Sequence, residues 1–230
     1  MSLLHSFYCW GHVGVVLLST LFFATVGIEH WKVLAVLWAV VPLLNGIVFL
    51  RVPIAKLLSE EDKGMSIKEL VSGKAFWIFI LLMFCAGSCE QAVSQWASAF
   101  AEKGLNISKT LGDLAGPMLF AICMGGARVL YSKIGEKLQL RAAMVFCGGL
   151  CLGSYLLISL SPLPVLGLIG CGICGFSVGL LWPGTFSLAA VGLPRGGTAM
   201  FALLALAGDL GCSMGPTLVG RVSAAAGDDL

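Results

Sequence analysis

Charged residues are scarce in this sequence of 230 residues. They make up 11% of it, whereas hydrophobic residues make up 58%, and the mean hydropathy is +0.97. Soluble domains contain about 25% charged residues, so this composition excludes a soluble protein and indicates one that crosses a membrane several times. The net charge is only +2 and the basic residues are scattered singly, which argues against a nucleic-acid partner.

The sequence also lacks the motifs of several enzyme classes. No segment matches the nucleotide-binding loop G-x-x-x-x-G-K-[ST] or the zinc motif H-E-x-x-H, and the histidines are limited to His5, His12 and His30. Gly175–Gly179 does spell G-x-S-x-G, but these histidines lie far from it in the sequence, so a glycine packing face explains it better than a serine protease. We therefore expect no enzymatic activity, no cofactor and no metal site.

Long hydrophobic runs recur along the chain, and each can cross about 30 Å of hydrocarbon at about 1.5 Å per residue. The runs predict seven transmembrane helices: Phe7–Ile28, Val33–Leu50, Phe76–Ala101, Leu111–Leu130, Ala142–Leu160, Val165–Val191 and Thr198–Ala226. The predicted fold class is therefore an all-α polytopic membrane protein. The nine cysteines lie mostly inside these runs and are expected to act as small apolar residues, including Cys171 and Cys174 of a C-x-x-C sequence.

One long polar segment, Arg51–Lys74, divides the predicted helices into two groups. It separates a transmembrane hairpin in residues 1–50 from a larger bundle in residues 75–230, and we expect the hairpin to have few partners in that bundle. It contains the charge run Glu60–Lys63, and Ser66–Glu69 matches a capping box, which predicts a short helix along the membrane surface.

Lysine and arginine are distributed unevenly between the two sides of the predicted bundle. Most of the fourteen lie in Arg51–Lys74, in Arg128–Arg141 and at Arg195, which fall on the same side. The side rich in basic residues is cytoplasmic in membrane proteins. We therefore expect a cytoplasmic amino terminus.

The predicted helix in Ala75–Glu102 is expected to have one wet face. Helical periodicity gathers on that face the polar residues Ser88, Glu90, Gln91, Ser94, Gln95 and Ser98. An ionisable residue at bilayer depth costs about 2.5 to 3.5 kcal/mol on insertion scales, so it usually faces a cavity or a partner. Glu90 is the leading candidate for proton coupling or for binding solute hydroxyls, with Gln91 and Gln95 as hydrogen-bonding neighbours. The alternative is a glutamate that only holds neighbouring helices together.

Three further residues are candidates for the same polar site. Asp209 is predicted about 16 Å deep and Glu90 about 22 Å deep from the same side, so both lie near mid-membrane. Asn45 and Trp182 are weaker candidates, because Asn45 can form a structural interhelical hydrogen bond and Trp182 can pack beside the bend at Pro183. We expect the residues near the predicted membrane edges to be solvated, and these are His5, Lys109 and Asp113.

Three segments together resemble the major facilitator superfamily of secondary transporters. They are the polar segment between the two groups of helices, the basic turn Gly126–Lys137, and the glycine-rich helix segment Gly211–Gly220. The helix with Glu90 and Trp96 looks like the seventh helix of the fucose-permease-like branch of sugar transporters. The segment that begins at Leu4 looks like the start of that branch's fifth helix.

The resemblance implies a fold of twelve helices in two halves of six, of which these seven spans match helices five to eleven. It therefore implies a fragment, with a remainder of the same transporter as a partner. It also implies proton-coupled transport of a sugar or similar metabolite across a bacterial cytoplasmic membrane by alternating access, with the solute and the bilayer as partners. Arg128, Lys133 and Gly135 would form the cytoplasmic gating turn, although Arg128 and Ser132 replace the usual glycine and acidic residue of that motif.

Two other interpretations stay open at this point. The chain could be a truncated fragment that does not transport, or a seven-helix receptor or structural membrane protein. A retinal-binding receptor needs a lysine inside a helix, whereas each lysine here falls in a loop or at a membrane edge. The predicted cytoplasmic amino terminus also argues against a receptor.

Overall fold

The computed structural model describes residues 2–53, 64–105, 108–135, 138–161 and 163–227. Nine α-helices lie within these ranges: α1 Ser2–Val26, α2 Trp31–Phe49, α3 Ile67–Ser72, α4 Lys74–Leu105, α5 Lys109–Asp113, α6 Leu119–Ile134, α7 Leu140–Leu160, α8 Pro164–Gly192 and α9 Gly197–Ala225. Seven helical segments of this described part are long and apolar enough to cross a membrane. This confirms the predicted all-α polytopic fold.

The fourth membrane-spanning segment is longer than predicted and is not a regular helix throughout. It runs over Lys109–Ile134, with a π-helical turn at Leu114–Met118 between α5 and α6. Pro117 lies inside this turn, has no backbone N–H to donate, and crowds the preceding turn of helix. The wider π-helical turn accommodates the proline within the segment.

The bundle is built around α4 and α8. The most extensive helix contact joins α4 to α9, while α8 packs against α4, α6 and α7. Apolar side chains fill the space between these helices, with Phe120 and Met124 in one cluster and Met83 and Leu204 in another. Several cysteines are buried in the first cluster, as expected of small apolar residues.

Glycines bring the bundle helices into close contact. A Cβ added at Gly211 would overlap the Phe84 carbonyl, and one added at Gly215 would lie 2.6 Å from the Ser88 carbonyl oxygen. Gly175 and Gly179 allow the same close approach between α8 and α6. Gly116 allows it between the π-helical turn and α4. Gly149 and Gly153, although spaced in the same way, face open space. Glycines four residues apart therefore do not by themselves mark a helix interface.

The two helices of the predicted hairpin differ in how they pack. The hairpin was expected to have few partners, and α2 does make few contacts, with Leu34 as its buried residue. In contrast, α1 packs along α6, where the missing side chain of Gly125 leaves room for Cys9. The expectation of few partners was therefore wrong for α1, because this glycine allows the two backbones to come together. The division into two domains stays a prediction.

The short helix α3 has the predicted capping box. The Ser66 hydroxyl accepts a hydrogen bond from the Glu69 backbone N–H, and the Glu69 carboxylate accepts one from the Ser66 N–H at 2.7 Å. Leu70 is fully buried against the bundle, and the Met65 N–H donates to the Arg195 carbonyl in the loop between α8 and α9. The charge run Glu60–Lys63 lies outside the described residues.

Candidate functional site: a polar cavity between five helices

A cavity of about 370 Å³ lies between α1, α4, α6, α8 and α9. Each of these helices contributes at least one polar or aromatic side chain to its wall. The lining residues are His5, Tyr8, Glu90, Gln91, Arg128, Trp182, Asp209 and Cys212. Such a concentration of polar groups inside a set of membrane-spanning helices is typical of a solute or ion pathway.

The deepest polar feature of the cavity is an ion pair between α4 and α6. The Glu90 Oε2 atom lies 3.3 Å from Arg128 Nη2, and the two side chains are 8% and 3% exposed. A buried charge is tolerated when it is paired and hydrogen-bonded, so each residue permits the burial of the other.

Arg128 is also tied to α1 and α8. Its Nε donates to the Gly179 carbonyl at 2.9 Å, and its Nη1 donates to the His5 carbonyl at 2.9 Å and to Cys9 Sγ at 3.1 Å. Its guanidinium carbon lies 5.8 Å from the centre of the Tyr8 ring. One side chain thereby joins four helices at the wall of the cavity.

This position corrects the assignment of Arg128 to a cytoplasmic turn. The residue lies within α6, and Lys133 lies in the last turn of the same helix, with Gly135 as the residue that follows it. The predicted helix ended at Leu130 and so contained Arg128, whereas the resemblance placed the same residue in a turn. The charge of Glu90, distant in the sequence, compensates Arg128 and lets the helix continue.

A chain of hydrogen bonds runs along the cavity from α4 to α1. The Gln95 Nε2 group donates to Gln91 Oε1 at 3.3 Å, and the Gln91 Nε2 group donates to the Tyr8 hydroxyl oxygen at 3.2 Å. The two glutamines therefore interact with each other, as expected of neighbours on one helix face. Gln95 stands at the outer end of this chain and does not line the cavity itself.

Asp209 on α9 and Trp182 on α8 also line the cavity. The Trp182 ring packs directly on Gly208, because a Cβ at that position would overlap the ring, and Asp209 is the next residue of α9. The ring edge also contacts Phe186, with ring centres 6.2 Å apart. Trp182 therefore both packs beside the bend at Pro183 and faces the cavity.

The polar residues predicted on one face of α4 contact three different parts of the molecule, namely α9, α5 and the cavity. Ser88 donates to the Gly211 carbonyl of α9 at 3.1 Å, and Ser98 donates to the Asp113 carboxylate of α5. Only the middle of the face, at Glu90 and Gln91, borders the cavity. The single wet face expected from periodicity was wrong, since serines on a membrane helix can bond to neighbouring helices instead.

The structure brings most of the predicted site residues together and leaves two groups apart. Glu90, Gln91, Trp182 and Asp209 line one cavity. Asn45 lies exposed on α2, away from this lining. Neither Lys133 nor Gly135 contributes to the wall.

Sequence analysis missed two lining residues on α1. His5 and Tyr8 were not proposed for the site, and His5 was expected to be solvated, yet both face the cavity. Their spacing of three residues, continued by His12, places these polar side chains on one side of an otherwise apolar helix. That pattern is the signal that could have identified them.

A second, larger cavity differs in its chemistry. It measures about 760 Å³, lies between α4, α7 and α8, and is lined almost entirely by apolar side chains such as Leu82, Met144 and Leu181, with Arg141 at one end. It lacks the convergent polar groups that orient a polar ligand. The smaller polar cavity is therefore the better candidate for a solute site.

In the described part of the chain, no cluster of three or more metal-ligating side chains is present.

Comparison with known proteins gives one match. The sequence model described as Major Facilitator Superfamily matches residues 1–216. Neither a curated protein nor a solved structure matches the chain. The match covers both groups of helices and all the residues that line the polar cavity.

Proposed function

The chain belongs to the Major Facilitator Superfamily of membrane transporters, and we propose that it moves a small polar solute through the cavity lined by Glu90 and Asp209. Transport would proceed by alternating access, in which the helices rock around a site near the middle of the membrane. The sequence offers no nucleotide-binding loop, so an ion gradient or the gradient of the solute would drive it.

The buried pair of Glu90 and Arg128 is the observation that carries this proposal. The pair borders a polar cavity in the middle of α4, where a carboxylate would otherwise be costly. A carboxylate beside a fixed arginine can exchange its ionic partner for a proton or a solute. We propose that Glu90 couples transport to protons by this exchange, as in a symporter.

We propose distinct roles for the other residues of the site. Gln91, supported by Gln95, would bind polar groups of the solute, and Trp182 would stack on its apolar face. Sugars and similar metabolites have both polar groups and an apolar face. The resemblance to sugar transporters supports the same class of solute. Lys133 and Gly135 are proposed to act in gating at the cytoplasmic end of α6. Asn45 on α2 stays a proposed binding residue for the solute or a proton.

We propose that further protein covers one side of this bundle in the membrane. Asp209 on α9 and Asn45 on α2 are exposed although both lie well inside membrane-length helices. Lipid does not hydrogen-bond such groups, so protein or a water-filled passage is expected against them. The remainder of a twelve-helix transporter would supply such a cover, in a bacterial cytoplasmic membrane with the amino terminus inside.

The experiment uses the chain reconstituted in liposomes that contain a pH-sensitive dye. A panel of neutral sugars and small amines is added under an imposed pH gradient, and solute-dependent proton movement is recorded. We expect such movement for the unaltered chain and its loss in Glu90→Gln, which keeps the shape of the side chain but cannot titrate. Exchange of labelled solute across the membrane should persist in that variant.

Glu102→Gln is the matched control, because Glu102 is exposed at the end of α4 and lies outside the cavity lining. Proton movement that is unchanged in Glu90→Gln would rule out Glu90 as the coupling group. Loss of exchange together with proton movement would assign Glu90 to solute binding. Absence of any solute flux in the unaltered chain would favour the alternative of a partial bundle that does not transport alone, which the exposed Asp209 and Asn45 also support.

A further inference from the structure

The charges that line the polar cavity do not balance. Besides His5, the lining side chains of the described chain include two acidic residues, Glu90 and Asp209, and one basic residue, Arg128. Glu90 and Arg128 are paired at 3.3 Å and offset each other. The Asp209 carboxyl group has no basic partner among the described residues, so the cavity favours a ligand with a positive charge.

Arg128 is poorly placed to bind a negatively charged solute. Its Nε and Nη1 groups donate to carbonyls of α8 and α1, and its Nη2 group faces Glu90. An anion would have to displace these bonds and would also meet the carboxylates of Glu90 and Asp209. The cavity therefore disfavours carboxylates and phosphates as solutes.

Asp209 offers a carboxylate that the other described residues leave accessible. The hydrogen bond from Ser213 goes to the Asp209 backbone carbonyl, and no described side chain pairs with its carboxylate. The Trp182 ring lies against Gly208, one residue away in α9, and both the Asp209 carboxylate and the Trp182 ring line the cavity. A carboxylate attracts an organic ammonium ion by its opposite charge, and an indole ring attracts it by a cation–π contact.

We propose that the solute of this cavity is a small organic cation rather than a neutral sugar, with its ammonium group between Asp209 and Trp182. This inference rests on the proposed function of the cavity as a solute site. The volume of about 370 Å³ lies within the range of small-ligand pockets and suits an ion of modest size.

Tyr8 supplies a second contact for such an ion. Its hydroxyl oxygen accepts a hydrogen bond from Gln91, and its own hydrogen has no acceptor among the described residues. This hydrogen can be donated to a hydroxyl or carbonyl oxygen of the solute. A cation that carries an oxygen a few atoms from its nitrogen would satisfy both walls of the cavity.

Choline and its uncharged analogue 3,3-dimethylbutan-1-ol test the proposal, because they differ in charge and hardly in shape. Binding of each to the full chain in lipid nanodiscs is measured by calorimetry. We expect choline to bind at least about tenfold more tightly than the analogue, since the ammonium adds an ionic and a cation–π contact. Asp209→Asn should weaken choline binding by about tenfold or more and leave the analogue unaffected.

Two further variants separate charge from folding. Asp209→Glu keeps the charge and should retain most of the preference for choline, whereas Glu102→Gln removes an exposed carboxylate outside the cavity and should change nothing. Equal binding of choline and the analogue, no choline binding to the unaltered chain, or unchanged choline binding in Asp209→Asn would each overturn the proposal. Choline binding without flux in liposomes would contradict transport and leave the cation site standing. Flux of a neutral sugar that Asp209→Asn does not alter would support transport and contradict the cation site.

Discussion

Glu90 and Arg128 are thirty-eight residues apart in the sequence and meet as an ion pair of 3.3 Å inside the helix bundle. The pair joins α4 to α6 at the wall of the polar cavity. Arg128 also binds the His5 carbonyl, so α1 is attached at the same point. If Glu90 changed its partner, the contacts among α1, α4 and α6 at the cavity would therefore change.

Removal of one member of this pair should destabilise the protein strongly. We expect Arg128→Met to lower the free energy of unfolding by about 3 to 5 kcal/mol, because it leaves the Glu90 carboxylate buried without its cation. The double variant Glu90→Leu with Arg128→Met should lose less than the sum of the two single variants, since no charge is left unpaired. Unfolding in detergent micelles measures these differences, and additive losses would show that the two residues do not interact.

The contact between α4 and α9 should depend on Gly211. Gly211→Ala is expected to lower the free energy of unfolding by about 1 to 3 kcal/mol, because the added methyl group would overlap the Phe84 carbonyl. Gly149→Ala is the matched control, since Gly149 faces open space on α7 and alanine favours the helix. Unfolding in micelles should show a loss for the first variant only, and equal effects would argue against the close packing of α4 on α9.

The capping box of α3 should make this helix sensitive to acid. Hydrogen bonds from the Ser66 N–H and hydroxyl hold the pKa of Glu69 below its ordinary value. Because the folded pKa is the lower one, its contribution to stability is fully present above the unfolded pKa and is lost as the pH falls through the folded pKa. Hydrogen exchange of the α3 amides, corrected for the intrinsic effect of pH, should therefore quicken in acid.

Glu69→Gln should remove most of this acid sensitivity of α3, because glutamine does not titrate. Lys68→Ala changes an exposed neighbour outside the capping box and should keep the sensitivity. An identical pH profile in Glu69→Gln and in the unaltered chain would mean that the capping box does not control α3.

Trp96 should stabilise α9 at its proline. The Trp96 Nε1 group donates to the Pro216 carbonyl at 3.0 Å, where the proline interrupts the hydrogen bonding of α9. Trp96→Phe keeps an aromatic ring but loses this donor, so we expect a loss of about 0.5 to 1.5 kcal/mol in unfolding free energy. Trp31→Phe, at an exposed site on α2, should have little effect. A comparable loss in both variants would show that the hydrogen bond contributes nothing of its own.

The sequence by itself determined the class of the protein and the positions of its membrane helices. Long apolar runs must form helices in lipid, because each backbone N–H and carbonyl needs a partner within its own segment. The capping box at Ser66 was equally readable, since its two hydrogen bonds join residues three apart. Glu90 and Asp209 were predicted at similar depths for a similar reason, because depth follows from the rise per residue along a helix.

Only the tertiary structure decided which polar residues face the cavity and which bond to neighbouring helices. The sequence placed Ser88 and Glu90 on one face of α4, yet Ser88 bonds to α9 and Glu90 pairs with α6. The resemblance assigned Arg128 to a turn, and its burial could not be predicted because its partner Glu90 lies on a helix distant in the sequence. The distribution of charge within the bundle depends on how helices pack, and helical periodicity describes one helix at a time. This is why the sequence identified the polar residues and the packing determined the function available to each.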